Sequence, residues 1–306
     1  MASPAASEVY LIRGNERKTG IQALWNEIEI PPLAGKRVAL KANYNSDDPF
    51  PASTHPETFR SLLEQILAAG AAEVTLAERS GMGQTRAVLE NRGVFALAED
   101  FGFDAVVLDD LPADGWERID AEGLHWKRGF LIAKVFRDAD VVIQTCCLKT
   151  HRFGGHVTLS LKNSVGLVAR HDPDGTYDYM AELHASPHQR SMIAEINRFY
   201  PTDLIVMDAM QGFATGGPER GSLIEPGLLL ASTDRVALDA VAIALLRFYG
   251  STPQVMKGRI FAQEQIARAA ELGVGVRSAD ELRLVPLDSG SKSVATEIRR
   301  ILDLTG

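Results

Sequence analysis

Cysteine is scarce in this 306-residue chain, and that scarcity excludes several classes of protein. The two cysteines are adjacent, at Cys146 and Cys147. They cannot build a disulfide framework, a four-cysteine zinc site or a four-thiolate iron–sulfur cluster. We therefore expect no iron–sulfur cluster, and we interpret the pair as inert apolar packing in a buried strand of a protein from a reducing compartment.

Long apolar runs and an excess of basic residues are also missing. The longest apolar stretch, VALDAVAIALL, is interrupted by Asp239, and the N-terminal MASPAASE has neither the basic nor the apolar region of a signal peptide. Acidic residues outnumber basic ones by 40 to 32, which gives a net charge of -8. The sequence therefore predicts a soluble, cytoplasmic protein that binds neither nucleic acid nor a membrane.

One segment departs from this acidic average. No carboxylate occurs from Val141 to His171, although 40 of the 306 residues are acidic. The segment contains four cationic residues, Lys149, Arg152, Lys162 and Arg170. Five of the seven histidines fall between residues 151 and 188. An acidic protein with one basic, histidine-rich segment is expected to carry its functional site there.

Strand-like apolar runs alternate with helical patterns along nearly the whole chain. This alternation predicts an α/β fold with a mostly parallel, doubly wound sheet and helices on both faces. We predict a single domain over residues 1–306, with a small inserted subdomain built from residues 111–135 and the C-terminal segment. The predicted strands are 8–14, 37–45, 73–81, 104–110, 140–151, 202–210, 227–234 and 282–288.

Polar residues at the ends of these strands are candidates for ligand binding, because open parallel sheets bind ligands outside the carboxyl ends of their strands. The candidates for substrate binding are Lys41, Asn43, Asn45, Ser80 and Asp208. A lysine inside an apolar run is costly to bury unless it has a partner, which favours a function for Lys41. The two asparagines have an alternative role in shaping a turn. Asp234 is interpreted as a helix N-cap.

The segment KTHRFGGHVTLSLKNSVG (149–166) is the most specific feature. Lys149 and His151 share one face of a strand end, two glycines allow a sharp turn, and the chain then returns with Lys162 and Asn163. Neighbouring lysines lower each other's pKa, which is a general route to a lysine base or nucleophile. We predict Lys149, His151 and Lys162 as catalytic residues and Asn163 as a substrate contact.

A metal site is a further hypothesis. His184 and His188 have the i,i+4 spacing of a helical metal pair, although Pro187 stands between them. With His151 they predict a divalent metal as an alternative cofactor. Nucleotide fingerprints fail, because SGMGQTR lacks the third glycine of a dinucleotide loop and QGFATGGPERG lacks the G-K-[ST] of a P-loop. The second of these glycine-rich segments is interpreted as a flexible loop, with a backbone-amide nest or a lid for an anion as the alternative.

A family resemblance rests on several segments of the chain. The most specific is K-T-H followed by S-L-K-N-x-x-G, and the others are KANYN, AERSG, LIVMDAM, GGPERG and ASTDRVALDAVA. Over residues 36–250 the chain resembles domain of unknown function family 362. Many members of that family are described as iron–sulfur proteins, because they carry a separate cysteine-rich domain. This chain contains no C-x-x-C, so that property does not carry over.

The order of elements is also distantly similar to the N-terminal half of the nickel-pincer lactate racemase family. That similarity implies that Lys41 binds a substrate carboxylate and that His151 performs acid–base chemistry. It further implies that Lys162 anchors a cofactor and that His184 or His188 ligates a metal.

Two functional hypotheses follow from the sequence. The first is an enzyme acting on a small anionic molecule, a carboxylate or a phosphate, by Lys/His acid–base chemistry. In it Lys41 and Lys149 hold the anion, His151 transfers a proton, and Lys162 with Asn163 stabilises developing negative charge. The alternative is a non-catalytic protein that binds an anionic metabolite or a metal and serves as partner of an iron–sulfur redox protein.

Overall fold

A computed structural model describes residues 6–14 and 16–305 of the chain, and within them it has the predicted α/β fold. The strands are β1 (Ser7–Arg13), β2 (Arg37–Lys41), β3 (Glu73–Glu78), β4 (Asp104–Val107), β5 (Trp116–Ile119), β6 (Phe130–Ala133), β7 (Val141–His151), β8 (His156–Thr158), β9 (Leu204–Gly216), β10 (Gly221–Ile224), β11 (Leu228–Ser232) and β12 (Leu282–Pro286).

The helices surround this sheet. They are α1 (Arg17–Glu27), α2 (Pro56–Ala68), α3 (Thr85–Asn91), α4 (Val94–Phe101), α5 (Lys134–Asp138), α6 (Ser160–Asn163), α7 (Tyr179–Ala185), α8 (Gln189–Ile196), α9 (Arg235–Tyr249), α10 (Pro253–Met256), α11 (Glu264–Glu271) and α12 (Ser289–Thr305).

The main sheet has the order β12-β1-β11-β9-β7-β2-β3-β4. Its part β9-β7-β2-β3-β4 is parallel, as is the pair β1–β12, whereas β11 runs antiparallel to both β1 and β9. The short strands β8 and β10 pair antiparallel with the ends of β7 and β9. The sheet is therefore mostly parallel, as the alternating pattern predicts, and its parallel strands end at one common edge.

Both faces of the sheet are covered, which explains why the central strands are apolar throughout. All eleven residues of β7 are buried. Val38 and Leu40 of β2 pack in a core cluster with α1 and α2, whereas Ala39, which points to the other face, packs with residues of β6 and α8. A third cluster joins α9 and α12 to the opposite half of the sheet.

The segment predicted as an inserted subdomain contains the hairpin β5–β6, which forms a separate two-stranded sheet. Its Trp126 is buried and donates an indole hydrogen bond of 3.2 Å to the carbonyl of Met192 in α8. The C-terminal strand β12 instead extends the main sheet beside β1. The hairpin and the C-terminal strand thus belong to different sheets.

Local sequence explains how the chain turns back after β7. His151 pairs with His156 across a glycine-containing turn, and His156 adopts a left-handed backbone with φ of 62°. The chain then enters α6, whose first amides are held by a carboxylate of α9. Asp239 accepts hydrogen bonds from the backbone N–H groups of Ser160 and Leu161 at 2.9 and 3.0 Å. This contact fixes the start of the helix that carries Lys162.

Other capping and loop features can be compared with the sequence. Asp234 caps α9 as predicted, since its carboxylate accepts the N–H of Ala237 at 2.9 Å. The strand predicted for 37–45 is shorter and ends at Lys41. The glycine-rich segment 211–221, interpreted from sequence as a loop, is largely the end of β9 and its turn into β10. Between residues 6 and 305, with residue 15 set aside, no helix is both long and apolar enough to cross a bilayer.

Candidate active site

A cavity of about 410 Å³ lies at the edge where β2, β3 and β7 end. Its charged lining residues are four cations, Lys41, Arg79, Lys162 and Arg170, and one carboxylate, Glu78. The cavity is thus cationic in a chain whose net charge is -8. The other polar residues that line it are Asn43, Asn45, His151, Thr158, Asn163 and His184.

Lys41 forms a buried ion pair with Glu78 across β2 and β3. Its Nζ lies 2.5 Å from Glu78 Oε1, 2.7 Å from the carbonyl oxygen of Ala42 and 3.3 Å from Asn163 Oδ1. These three acceptors use all three donors of the ammonium group. Burial lowers the pKa of Lys41 and raises that of Glu78, whereas their mutual attraction opposes both shifts. Lys41 therefore has no free donor for a ligand.

Gly166 provides the room for this ion pair. A Cβ atom at this position would lie 2.8 Å from Lys41 Cε and 3.0 Å from Glu78 Oε1. Both distances are shorter than ordinary van der Waals contact. The glycine of S-L-K-N-x-x-G is therefore required by close packing against the Lys41–Glu78 pair.

Arg79 and Arg170 organise the segment that follows α6. The guanidinium of Arg79 donates hydrogen bonds of 2.7 Å to the carbonyls of Val165 and Val168. Burial, with a smaller contribution from Arg170, lowers the pKa of Arg79 to about 10. Arg170 donates at 2.8 Å to the carbonyl of Ser80. Most of Arg79's donors are thus used by the backbone, whereas Arg170 lies at the cavity with one short hydrogen bond and a longer ion pair of 3.8 Å to Asp109.

His151 is held as a neutral imidazole with its proton on Nε2. The backbone N–H of Gly155 donates to His151 Nδ1 at 3.2 Å, so Nδ1 is an acceptor and Nε2 carries the hydrogen. Burial, followed by the positive charges of Lys162 and Lys149, moves the pKa of His151 far below its usual value. At neutral pH its Nε2–H is therefore a hydrogen-bond donor at the cavity.

His184 has the complementary tautomer. Its Nδ1 donates to the carbonyl of Met180 at 2.6 Å, which leaves Nε2 with a lone pair. His184 also lines the cavity. The two histidines thus offer one donor and one acceptor to the same space.

Lys162 differs from the other cavity cations because its ammonium has neither a hydrogen bond nor an ion pair with any residue in the described part of the chain. Burial, then the charges of Lys149 and Arg79, lowers the pKa of Lys162 to about 8. A Cβ atom on Gly155 would lie 2.9 Å from both Lys162 Cε and His151 Nδ1. Any side chain at this position would therefore collide with both residues.

Thr158 also carries a group without a partner in the described residues. Its buried Oγ1 makes no hydrogen bond to any of them, and its side chain lines the same cavity as Lys162 and His151. An unpaired buried hydroxyl is costly, and in a cavity wall it indicates a position for a bound polar group.

Several predicted site residues lie outside the cavity. Lys149 is fully buried and donates to the carbonyl of Ala52. Ser80 is buried and donates to the carbonyl of Tyr44 at 2.6 Å. Asp208 is buried with Arg17 at 2.7 Å and Thr58 as partners. The structure brings together the other six residues predicted for catalysis or substrate binding: Lys41, Asn43, Asn45, His151, Lys162 and Asn163.

The structure does not bring His184 and His188 together. The first is in α7, which ends at Ala185, and the second directly precedes α8, so the pair does not share one helix face. His188 lines another cavity, where its ring centre lies 4.5 Å from that of His125. Across residues 6–14 and 16–305, no three His, Cys, Asp or Glu side chains are grouped so as to hold a metal ion.

The residues present do not fit an iron–sulfur cluster. Cys146 and Cys147 are the two cysteines of the chain, and both thiols are free and buried. Burial raises the pKa of Cys147 to about 11 and also raises that of Cys146 well above its usual value. Two protonated, buried thiols cannot supply four thiolate ligands.

Among the cavity residues absent from the predicted site residues are Glu78, Arg79, Thr158 and Arg170, of which Arg170 was noted only as part of the basic segment. Glu78 and Arg79 both follow the apolar part of β3, and a carboxylate beside a buried lysine is the signal that would have paired Glu78 with Lys41. Thr158 has no such signal, because a threonine in a short strand is ordinary.

The fold and the cavity define an α/β protein with a cationic pocket at the carboxyl ends of its central strands. Residues 38–244 match the family described as Domain of unknown function (DUF362), and the chain belongs to that family. It is similar to the Thylakoid-associated protein sll1697 of Synechocystis sp., with 27% identity over 273 residues, which cover 84% of this chain and 79% of that protein.

A solved structure with a related arrangement is the lactate racemase apoprotein from Thermoanaerobacterium thermosaccharolyticum. The TM-score is 0.45 and the sequence identity 16%, over 67% of this chain. This chain spans half of that racemase chain.

Proposed function

We propose that this protein is an enzyme that acts on a small carboxylate- or phosphate-bearing molecule through lysine and histidine acid–base chemistry. The observation that carries the proposal is the set of unpartnered groups in one cationic cavity: the Lys162 ammonium, the Nε2–H of His151 and the Thr158 hydroxyl. Enclosed cations attract anions more strongly than exposed ones, because solvent screens them less.

Lys162 binds the anion in this proposal. It is the cavity cation without a partner in the described chain, and its lowered pKa reflects the cost of holding an uncompensated charge there. A bound carboxylate or phosphate removes that cost. Arg170 provides a second positive charge, whereas Lys41 positions Asn163 and Glu78 rather than touching the ligand.

The two histidines divide the proton chemistry. His151, neutral and protonated on Nε2, donates a hydrogen bond to a substrate oxygen on which negative charge develops. His184, whose Nε2 carries a lone pair, accepts a proton from the substrate. These roles revise the sequence-based hypothesis, in which His151 transferred the proton and Lys162 with Asn163 stabilised the charge.

A ligand panel tests the binding step. Oxalate and inorganic phosphate are expected to raise the melting temperature of the wild type but not that of Lys162→Met, while Lys36→Met, a change at an exposed lysine, responds like the wild type. Equal responses of the Lys162 and Lys36 variants would refute anion binding at Lys162. Circular dichroism confirms that each variant is folded.

Proton exchange separates the enzyme from the non-catalytic binder. Incubation with small 2-hydroxy and 2-oxo acids in D₂O, followed by NMR, is expected to show loss of a C–H signal with the wild type and not with His184→Gln. A wild type that binds oxalate but exchanges no proton would favour the alternative, an anion-binding partner of a redox protein. Elemental analysis of untagged protein tests the divalent metal hypothesis in the same preparation.

We further propose a reducing, cytoplasmic location, which the two free, buried cysteines support. The related protein of Synechocystis is named for its association with thylakoids. Cell fractionation with detection of this protein distinguishes a soluble from a membrane-associated pool.

A further inference from the structure

We propose that Lys162 forms an imine with the carbonyl group of its ligand, so that the site takes small oxo acids, that is, aldehydes or ketones that also carry a carboxylate or phosphate. This inference rests on the proposed function and names its substrate class: the charged form of Lys162 attracts the anionic molecule, and the neutral form then reacts with its carbonyl group. An amine that adds to a carbonyl needs a free lone pair, space on its reacting side and donors for the carbonyl oxygen.

Lys162 meets the first requirement, a nitrogen lone pair that can become free, whereas Lys41 and Lys149 do not. The ammonium of Lys41 has three acceptors, and Lys149 is fully buried against the carbonyl of Ala52, outside the cavity lining. Lys162 lines the cavity and has no hydrogen-bond or ion-pair partner in the described residues. Its pKa of about 8 leaves a fraction of neutral amine near neutral pH.

Space and donors are also present around this amine. Gly155 lies against Lys162 Cε and His151, where any side chain would fill the gap. The Nε2–H of His151 and the buried, unpartnered Oγ1 of Thr158 are two groups able to donate to a carbonyl oxygen. The Thr158 hydroxyl also points to a bound polar group, because no group in the described residues forms a hydrogen bond with it.

The remaining part of an oxo acid is an anion, and the same cavity provides for it. Arg170 lines the cavity, and its guanidinium donates to the carbonyl of Ser80 at 2.8 Å and lies 3.8 Å from Asp109 Oδ1. The side-chain oxygen of Asn45 accepts the N–H of Gly81 at 3.2 Å, which turns the amide so that its NH₂ group has no partner in the described chain. Both groups are donors suited to a carboxylate or phosphate.

The reaction balances without a further reagent. A C–N bond forms between Lys162 Nζ and the carbonyl carbon, and the carbonyl oxygen becomes a hydroxyl. The C–O bond then breaks and the oxygen leaves as water, which takes both hydrogens of the neutral amine. The resulting imine withdraws electrons from the neighbouring carbon and makes its C–H more acidic, which suits a proton acceptor such as His184.

Reductive trapping of the full chain tests this step. Glyoxylate and sodium cyanoborohydride convert an imine into a stable carboxymethyl amine, which intact mass measurement and peptide mapping detect. We expect one carboxymethyl group per chain, located on Lys162, at glyoxylate concentrations that leave exposed lysines unmodified. Lys162→Arg keeps the charge and is expected to show no adduct, whereas Lys36→Arg is expected to label like the wild type.

Two results overturn the inference: labelling spread over exposed lysines, or equal labelling of the wild type and Lys162→Arg. Oxalate, which is anionic but forms no imine, separates this failure from failure of the proposed function. If oxalate raises the melting temperature of the wild type and glyoxylate leaves Lys162 unmodified, anion binding stands and the imine is wrong. If oxalate has no effect and no adduct forms, both proposals are wrong.

Discussion

Cationic residues lie on two sides of the cavity, and the two sides differ in whether these residues have partners within the protein. On the side of β2 and β3, Lys41 and Arg79 are surrounded by acceptors: a carboxylate, an amide and backbone carbonyls. On the side of the β7–β8 hairpin, Lys162 and Thr158 have no partner in the described chain. The first side is complete without a ligand and acts as scaffold, whereas the second is complete only when something binds.

Breaking the scaffold side is expected to have the largest effect. Lys41→Met leaves the buried carboxylate of Glu78 without its cation, which costs about 3–5 kcal/mol of unfolding free energy. Denaturation with urea measures the loss. The double variant Lys41→Met/Glu78→Leu is expected to recover much of it, because no unpaired charge remains. A double variant as unstable as the single one would contradict this assignment.

Crowding the ion pair is expected to cost less. Gly166→Ala places a methyl group 2.8 Å from Lys41 Cε and 3.0 Å from Glu78 Oε1, and overpacking of this kind costs about 1–3 kcal/mol. Gly14→Ala serves as the control, since the nearest atom to a Cβ there, the carbonyl oxygen of Glu16, lies at an ordinary 4.0 Å. Equal melting temperatures for the two variants would show that the close contact can relax.

The buried histidine on the hairpin side should make the stability of the protein depend on pH. The pKa of His151 is lowered by burial and by Lys162, Lys149, His184 and Arg152. At a pH below 6.5, the ordinary pKa of histidine, His151 therefore binds a proton in the unfolded chain but not in the folded chain. This group costs stability as pH falls below 6.5, with a slope of up to about 1.4 kcal/mol per pH unit. Relative to the wild type, His151→Gln should lose less stability between pH 6.5 and 5, as urea denaturation at each pH measures. Equal losses for the two proteins would contradict this assignment.

Removal of Lys162 is expected to have the smallest effect on the fold. Lys162→Met takes away an ammonium that has no partner among the described residues, so at pH 7 the variant should be no less stable than the wild type. The pKa of Lys162 is about 8 in the folded chain against 10.5 ordinarily, so the unfolded wild type binds more protons between these values and its stability rises with pH there. The variant should lack this rise. A destabilised variant at pH 7 would place Lys162 with the scaffold.

The fold was accessible from the sequence because its signals are local. Buried parallel strands read as continuous apolar runs, and the Asp234 cap is visible as one residue before a helical pattern. The ends of strands are harder to predict. The chain turns away from the sheet after Lys41, so β2 ends there and not at residue 45, and the polar residues that follow indicate this turn only in part.

The site was only partly accessible, because partners distant in sequence decide what each side chain does. Lys149 and His151 share a strand face, as alternation predicts, but Lys149 meets the carbonyl of Ala52, 97 positions earlier. The pairing of Lys41 with Glu78 depends on two strands lying side by side. Which lysine is free can therefore be seen only in three dimensions.

The strand β7 has a further consequence for how this site moves. It runs without a break from Val142, in the middle of the core, to His151 at the cavity, and every residue along it is buried. A group held in this way cannot be released by local opening of a surface loop. Amide hydrogens near His151 should therefore exchange with solvent almost as slowly as those of the core, so that the imidazole is held rigidly while the ligand adapts to it.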